Sequence, residues 1–315
     1  MSFIGSREGM EAYASGADFK KTLRAAGVEG IELVPCGPLP ETLDPGEIQG
    51  VHLPFYSSWM DYEFGNRAGL MEEFGSLEVA REFYHFTPGN YHRYFQGAMD
   101  LAQERGAYAV FHISNIGTRE YFTRNFGYSH REVVAASAEV INKLLDGGKY
   151  TVPFLMENLY SPGLTFQDPD LTELILSRVN YENKGFMLDT GHFFCAHPHL
   201  ATEDEGWELL EKTIREHGFL KDYIRGIHLQ ASITGDIQRE FWKNPPPMEE
   251  EFYHRFAQMY RHVGRVDTHD LARSKRARKV IEWIDPEFLV FEFRYENRRE
   301  MVARAREQRR LLGLS

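Results

Sequence analysis

Six apolar runs of this chain end on a residue able to hold a metal ion. "GVH" ends at His52, "VFH" at His112, "FLME" at Glu157 and "FMLD" at Asp189, with His192 three residues further on. "GIH" ends at His228 and "VFE" at Glu292. A polar stretch, "VGRVDTHDL" (263–271), adds Asp267 and His269, two apart, with Asp270 behind them. Taken singly, such residues are ordinarily hydrogen-bonded core or surface groups. Taken together, they put acids and imidazoles where burial is costly unless they are paired or bind metal. Mixed imidazole and carboxylate donors suit a divalent ion: zinc first, with manganese or iron(II) also accommodated. The absence of cysteine from the pattern argues against a structural zinc finger.

The spacings carry more. Positions three apart cannot both point inward along a regular strand. Gly191 lets the chain turn between Asp189 and His192, an offset that suits ligands of two neighbouring ions. Asp267 and His269 would share one face of an extended segment and could chelate one ion. Asp270 would face the other way.

These groups must be brought together by the elements that carry them. Strands are expected near 3–5, 30–35, 50–55, 108–114, 151–159, 185–192, 224–230 and 288–294, alternating with helical patterns. Eight such units predict an α/β fold: a single (β/α)8 TIM-barrel domain over 1–315, whose strand ends converge on one mouth. Helices are expected over 18–27, 90–106, 129–148, 202–218 and 297–312. The first three end on glycine, and the fourth has acids in its first turn and His217 in its last. The basic face of the last helix reads as solvated. Three connections break the regularity. Residues 36–49 are proline-rich and too short for a full second helix. Aromatic-rich insertions follow the third strand (56–89) and the seventh (231–262). Insertions there are either lids over the mouth or helices packed outside.

Composition narrows the function classes. The net charge is −11, with 42% hydrophobic and 26% charged residues. This is an ordinary globular balance that does not favour a polyanionic partner such as duplex DNA. No apolar run approaches the ~20 residues of a membrane span, and the start carries no secretion signal. Two cysteines, Cys36 and Cys195, give no disulfide framework, so a cytoplasmic setting is expected.

The chain order His, His, Glu, Asp-x-x-His, His, Asp-x-His, Glu resembles the endonuclease IV branch of the xylose isomerase-like barrel superfamily. Nine residues match in order over nearly the whole chain. The resemblance implies two or three zinc-type ions. His52 and His112 would bind one. Glu157 would bridge it to a second, held also by Asp189, His228 and Glu292. His192, Asp267 and His269 would bind a third. It implies phosphoester hydrolysis by metal-bound hydroxide, with Glu157 and Glu292 as the catalytic carboxylates. The binding surface departs from the nuclease pattern. No Arg or Lys occurs from Pro35 to Val51, and the segment after His52 holds more acid than base. Duplex binding needs phosphate neutralisation, so a small anionic or phosphorylated substrate is expected, held by Arg239, Lys243 and Arg294.

Two other readings compete. In a sugar or sugar-phosphate isomerase or epimerase, one metal is held by Glu157, Asp189, His228 and Glu292, and the two glutamates exchange protons with the substrate. In the third reading the barrel binds a metal or ligand without catalysis.

Overall fold

The computed structural model describes residues 1–6, 13–35 and 43–314. Among the described residues, eight parallel strands close into a barrel in chain order. They are β1 (Ser2–Ser6), β2 (Gly30–Val34), β3 (Ile48–His52), β4 (Tyr108–His112), β5 (Phe154–Glu157), β6 (Lys184–Asp189), β7 (Ile224–Leu229) and β8 (Phe288–Phe291). Each matches an expected run; β1 is longer than expected and the other seven are shorter. The register pairs His112 with Glu157 and Asp189 with His228. Strand ends from separate segments are therefore neighbours before any side-chain chemistry is considered.

Two apolar layers hold the barrel. One lies between strands and helices. The other fills the interior with Tyr108, Val110, Leu155, Met187 and Val290. Tyr108 fits because Gly50 faces it: a Cβ at Gly50 would come within 2.2 Å of the Tyr108 ring.

The helices follow their caps. Helix Gly16–Ala26 starts at Ser15, whose hydroxyl accepts from Asp18 N, and ends on Gly27 at φ 73°. Helices His130–Leu145 and Glu203–His217 open on capping boxes, Ser129 with Glu132 and Thr202 with Glu205. The helix expected over 90–106 is two, Tyr91–Tyr94 and Gln96–Arg105. They are parted at Phe95, whose ring is fully buried. Helix Arg298–Leu311 is less solvated than its charge suggests. Arg306 and Arg309 donate to the carbonyls of Ala25 and Gly27, and Arg298 meets Asp18. The C-terminal helix thereby caps the first one. Of the short second connection, a 3-10 turn at Pro45–Glu47 is described; residues 36–42, with Cys36, lie outside the described residues. Cys195 is a buried free thiol.

The insertion after β7 lines the mouth through Trp242, Met259 and Tyr260, and the insertion after β3 packs against it. After β3 come helices Met60–Glu63, Arg67–Phe74 and Leu77–Phe83; after β7 come Gly235–Lys243 and Phe252–Val266. They meet through Phe74 on Phe252 (4.2 Å between ring centres) and Phe83 on Phe252 (5.0 Å). A fully buried arginine fixes the junction. Arg255 donates to Thr118 Oγ1 at 2.6 Å, to the Glu250 carbonyl at 2.7 Å and to the Glu73 carbonyl. The Glu73 carboxylate in turn takes the Thr118 N–H (2.7 Å) and hydroxyl (2.6 Å). Buried polar groups this fully satisfied set one arrangement of the elements they join. Among the described residues no helix is long and apolar enough to cross a membrane.

Candidate metal centre

His52, His112, Glu157 and Asp189 are the last residues of β3, β4, β5 and β6; His228 is the second-last of β7, and Glu292 follows β8. Apolar strand bodies thus carry six ionisable tips to one place, and Glu157, Asp189 and His228 are fully buried. Among the described residues, three groups bring ligand atoms within 4.8 Å of one another: Glu157–Asp189–His228–Glu292, His52–His112–Glu157 and Glu32–His52–His228. Glu157 joins the first two, as the bridging position expected of it.

The hydrogen bonds fix which atom each histidine aims inward. His52 Nδ1 faces the Leu53 carbonyl at 3.0 Å, leaving Nε2 at 3.1 Å from Glu157 Oε2. His192 Nδ1 faces the Asn158 carbonyl at 3.0 Å and its Nε2 lies 3.2 Å from Asp267 Oδ2. His269 Nδ1 faces the Glu292 carbonyl at 2.9 Å and its Nε2 lies 3.0 Å from the same Asp267 oxygen. A carbonyl only accepts, so each Nδ1 carries a proton. Each Nε2 then meets a carboxylate as a second N–H or across a shared cation. Metal-ligating histidines have this arrangement.

His192, Asp267 and His269 therefore do converge, through one oxygen. They are not among the three groups with all ligand atoms inside 4.8 Å. The other Asp267 oxygen accepts from Gln230 Nε2 (2.9 Å) and the Ser232 hydroxyl (3.2 Å). The local route differs from the expected extended segment. Helix Phe252–Val266 runs to Asp267, and His269 has φ 50°, which turns its ring back on Asp267. A histidine in the left-handed region is uncommon and stores strain of order 1–3 kcal/mol. Asp270 has a backbone role: it pairs with Ala231, pinning the loop beyond the end of β7.

Gly191 also works differently from the expectation. Asp189 makes the turn itself by capping helix Thr190–Cys195, its Oδ1 accepting from His192 N at 2.6 Å. Gly191 supplies space, since a Cβ there would come within 1.9 Å of the Gln230 side chain.

Electrostatics follow from crowding. Burial pushes the Asp189 carboxyl well above its usual range, and the charges of Glu292 and Glu157 push it further. Burial acts the same way on Glu157, but His112 and His228 overcome it and hold that carboxyl well below its usual range. Glu292 is pulled down to about 2, against burial, by His228 and His269. Burial lowers His112, while the Glu32, Glu157 and Glu292 charges overcome burial and raise His228.

Glu32 is a site residue the sequence reading missed. It sits mid-strand in β2, fully buried. Its Oε2 accepts the Tyr108 hydroxyl at 2.8 Å and lies 3.0 Å from His228 Nε2. This holds the His228 Nδ1 edge toward Glu157 (3.2 Å) and Glu292 (3.1 Å). The available signal was an acid inside the apolar run "GIELV".

The expected cations are placed otherwise. The mouth opens into a cavity of about 770 Å³, which Arg239 and Lys243 do not line. Arg239 turns to the Pro198 carbonyl. Arg294 does line it, but donates to the Gly264 and Asp267 carbonyls at 2.8 Å each, which fixes the loop before His269. Among the described residues the other arginine of the wall is Arg124, 3.9 Å from the centre of the Trp242 ring.

No family model matches the chain, and no curated protein matches it. Solved structures do. The IolI protein with a bound zinc atom is 15% identical, with 99% of this chain and 98% of that chain covered and a TM-score of 0.53. An L-ribulose 3-epimerase is 13% identical, with 100% and 94% covered and a TM-score of 0.53. The fold these structures share with the chain is the closed barrel of eight parallel strands. At these identities the likeness is one of fold alone, and it does not single out the endonuclease IV branch.

Proposed function

We propose that the protein is a metal-dependent isomerase or epimerase acting on a small polyhydroxylated carbonyl compound. The Glu157–Asp189–His228–Glu292 group carries this reading: four ligand atoms from four successive strands within 4.8 Å. The residues present fit a divalent ion. Two buried carboxylates, Glu157 and Asp189, crowded with the partly buried Glu292 need a compensating charge. Glu292 Oε2 is buried without a hydrogen bond, although His228 Nδ1 is 3.1 Å away. Three carboxylates and one imidazole suit manganese, zinc or iron(II). When bound, the ion would polarise a carbonyl and its neighbouring hydroxyl, acidifying the C–H bond between them.

The chain's own residues supply the rest. Glu157 and Glu292 are held ionised, so either can take a proton from carbon and return it. His52 and His112 border Glu157 at 3.1 and 3.0 Å and are placed to meet substrate oxygens. A fold shared with an epimerase supports the reading. So does a wall that, among the described residues, holds no lysine, since a phosphate ester or an anion finds no ammonium on them.

One observation favours the hydrolytic alternative: the two Nε2 atoms of His192 and His269 facing Asp267 offer donors for a further ion. Metal content separates the two readings. Metal-depleted protein titrated with Mn²⁺ or Zn²⁺ should take up one ion per chain and then exchange a sugar C–H proton with D₂O. Uptake of two or three ions with turnover of a phosphoester and no exchange would replace isomerisation by hydrolysis. Bound metal with neither reaction, and Glu157→Gln indistinguishable from the parent, would leave a binding barrel.

A further inference from the structure

The cavity above the strand ends is larger and more aromatic than a single polyol requires. Its 770 Å³ lies in the upper part of the ~300–1,000 Å³ span of ligand pockets. Oxygen and nitrogen donors cluster at the floor, on the strand ends. The wall above is built by the insertion after β7 and by the loops after β3, β4 and β5, and it is mainly aromatic. Phe55 starts it, edge-on to His112 at 4.2 Å, and Tyr160 stands 5.8 Å from His192. Tyr121, Phe126, Trp242 and Tyr260 continue it outward. Phe55, Phe126 and Tyr260 are 41%, 39% and 41% exposed. Large apolar side chains left open around one cavity mark a surface that a ligand covers.

Among the described residues two arginines line this wall: Arg294 is committed to two backbone carbonyls, and the Arg124 guanidinium carbon lies 3.9 Å from the centre of the Trp242 ring. Tyr121 is held by His262 Nδ1 at 2.7 Å, and His262 stacks on Phe241 at 3.7 Å, so this side of the wall is built to keep its shape. The Arg255 junction holds the insertions in place, and with them Trp242 and Tyr260.

We infer that the substrate is amphiphilic: a polyhydroxylated head at the strand ends, joined to a flat aromatic group that lies among Phe55, Tyr160, Trp242 and Tyr260. This inference rests on the strand-end group being the site that receives the head. Base–aromatic or aryl–aromatic contact of this kind adds offset and edge-on stacking to simple apolar burial.

The test compares matched probes on Mn²⁺-loaded protein. Phenyl and methyl glycosides of glucose, galactose and mannose, with the corresponding 6-phosphates, are titrated by calorimetry. At least one phenyl glycoside should bind ten-fold or more tightly than its methyl partner. Trp242→Leu and, separately, Tyr260→Ser should each reduce that ratio three-fold or more while metal content stays the same. Tyr253→Ala, an exposed aromatic on the same helix but outside the cavity, should leave the ratio unchanged. Equal affinity of phenyl and methyl probes, a ratio unmoved by both wall variants, or tighter binding of the 6-phosphates overturns the inference. The isomerase reading fails separately, on metal uptake and C–H exchange, whatever the ratio.

Discussion

The floor and the roof of the cavity are built on opposite principles. The floor consists of strand ends carrying acids and imidazoles that face one another, with Glu32 Oε1, His112 Nδ1 and Glu292 Oε2 buried and without a hydrogen bond. The roof consists of inserted helices carrying aromatics, held by one buried arginine. The floor is local in origin, since each group ends its own strand and the barrel makes the ends meet. The roof is non-local: Arg255 meets the carbonyl of Glu73, 182 residues away in sequence. On the proposed reading this is a division of labour, with reaction chemistry on the barrel and substrate selection on the cap. The predictions below test whether the two regions separate.

The largest effect is expected at the floor. Glu157→Gln removes the charge that His52, His112 and His228 all face, and with it one proton acceptor. Metal-dependent C–H exchange should fall on the order of 10³-fold, followed by deuterium uptake in NMR. Bound metal should fall in the same preparation, while helix exchange protection in 235–266 stays as in the parent. Full metal content with exchange within ten-fold of the parent would mean that the reacting centre is elsewhere.

Arg255→Met is the matching break in the roof. It removes donors from Thr118 and from the Glu73, Glu249 and Glu250 carbonyls, leaving buried acceptors unpaired. The expected loss is about 3 kcal/mol in urea unfolding, with faster hydrogen exchange across Gly235–Lys243 and Phe252–Val266. Metal affinity should change less than two-fold. A parallel collapse of metal binding would show that cap and floor form one cooperative unit.

Legibility follows the same division. Strand ends were readable because an apolar run of β character stops on an ionisable residue, and barrel topology alone then brings those residues together. Glu32 was not, because an acid in the middle of "GIELV" has no face of its own in sequence. Its inward direction depends on the barrel interior, where Gly50 leaves room for Tyr108 beneath it. Arg239, Lys243 and Arg294 drew attention for their charge, but Arg239 and Arg294 turn to backbone carbonyls and Lys243 does not line the cavity, which are tertiary facts. Arg124 escaped notice because its contact with Trp242 joins the end of one helix to another helix far apart in sequence. The left-handed turn at His269 had no signal, since neither glycine nor asparagine marks it.

Glu32→Gln asks how far the floor extends down the barrel. The amide keeps the size and one acceptor but removes the charge beside His228 Nε2. Second partners of metal-bound histidines typically contribute 10- to 100-fold to affinity, so Mn²⁺ binding by equilibrium dialysis should weaken about ten-fold. Exchange per bound metal should be nearly unchanged, because Glu32 touches the histidine and not the reacting atoms. A larger fall in exchange than in metal binding would move Glu32 into the reacting centre.

The smallest effect lies in the roof and reads as a pH dependence. Burial, with Arg265 nearby, pushes His262 down to about 4, so the folded protein keeps this imidazole neutral against Phe241 while the unfolded chain binds a proton near 6.5. The unfolded state therefore holds more protons between those values. The stability is complete above pH 6.5 and is lost as pH falls toward 4. By pH 5.5 the loss should be about 1 kcal/mol, superimposed on the titration of the floor carboxylates. His262→Asn keeps an acceptor near the Tyr121 hydroxyl but removes the titration. The difference in unfolding free energy between parent and variant should therefore narrow as pH falls from 7 to 5.5. A difference constant with pH would place no proton linkage at His262 and leave Tyr121 held by shape alone.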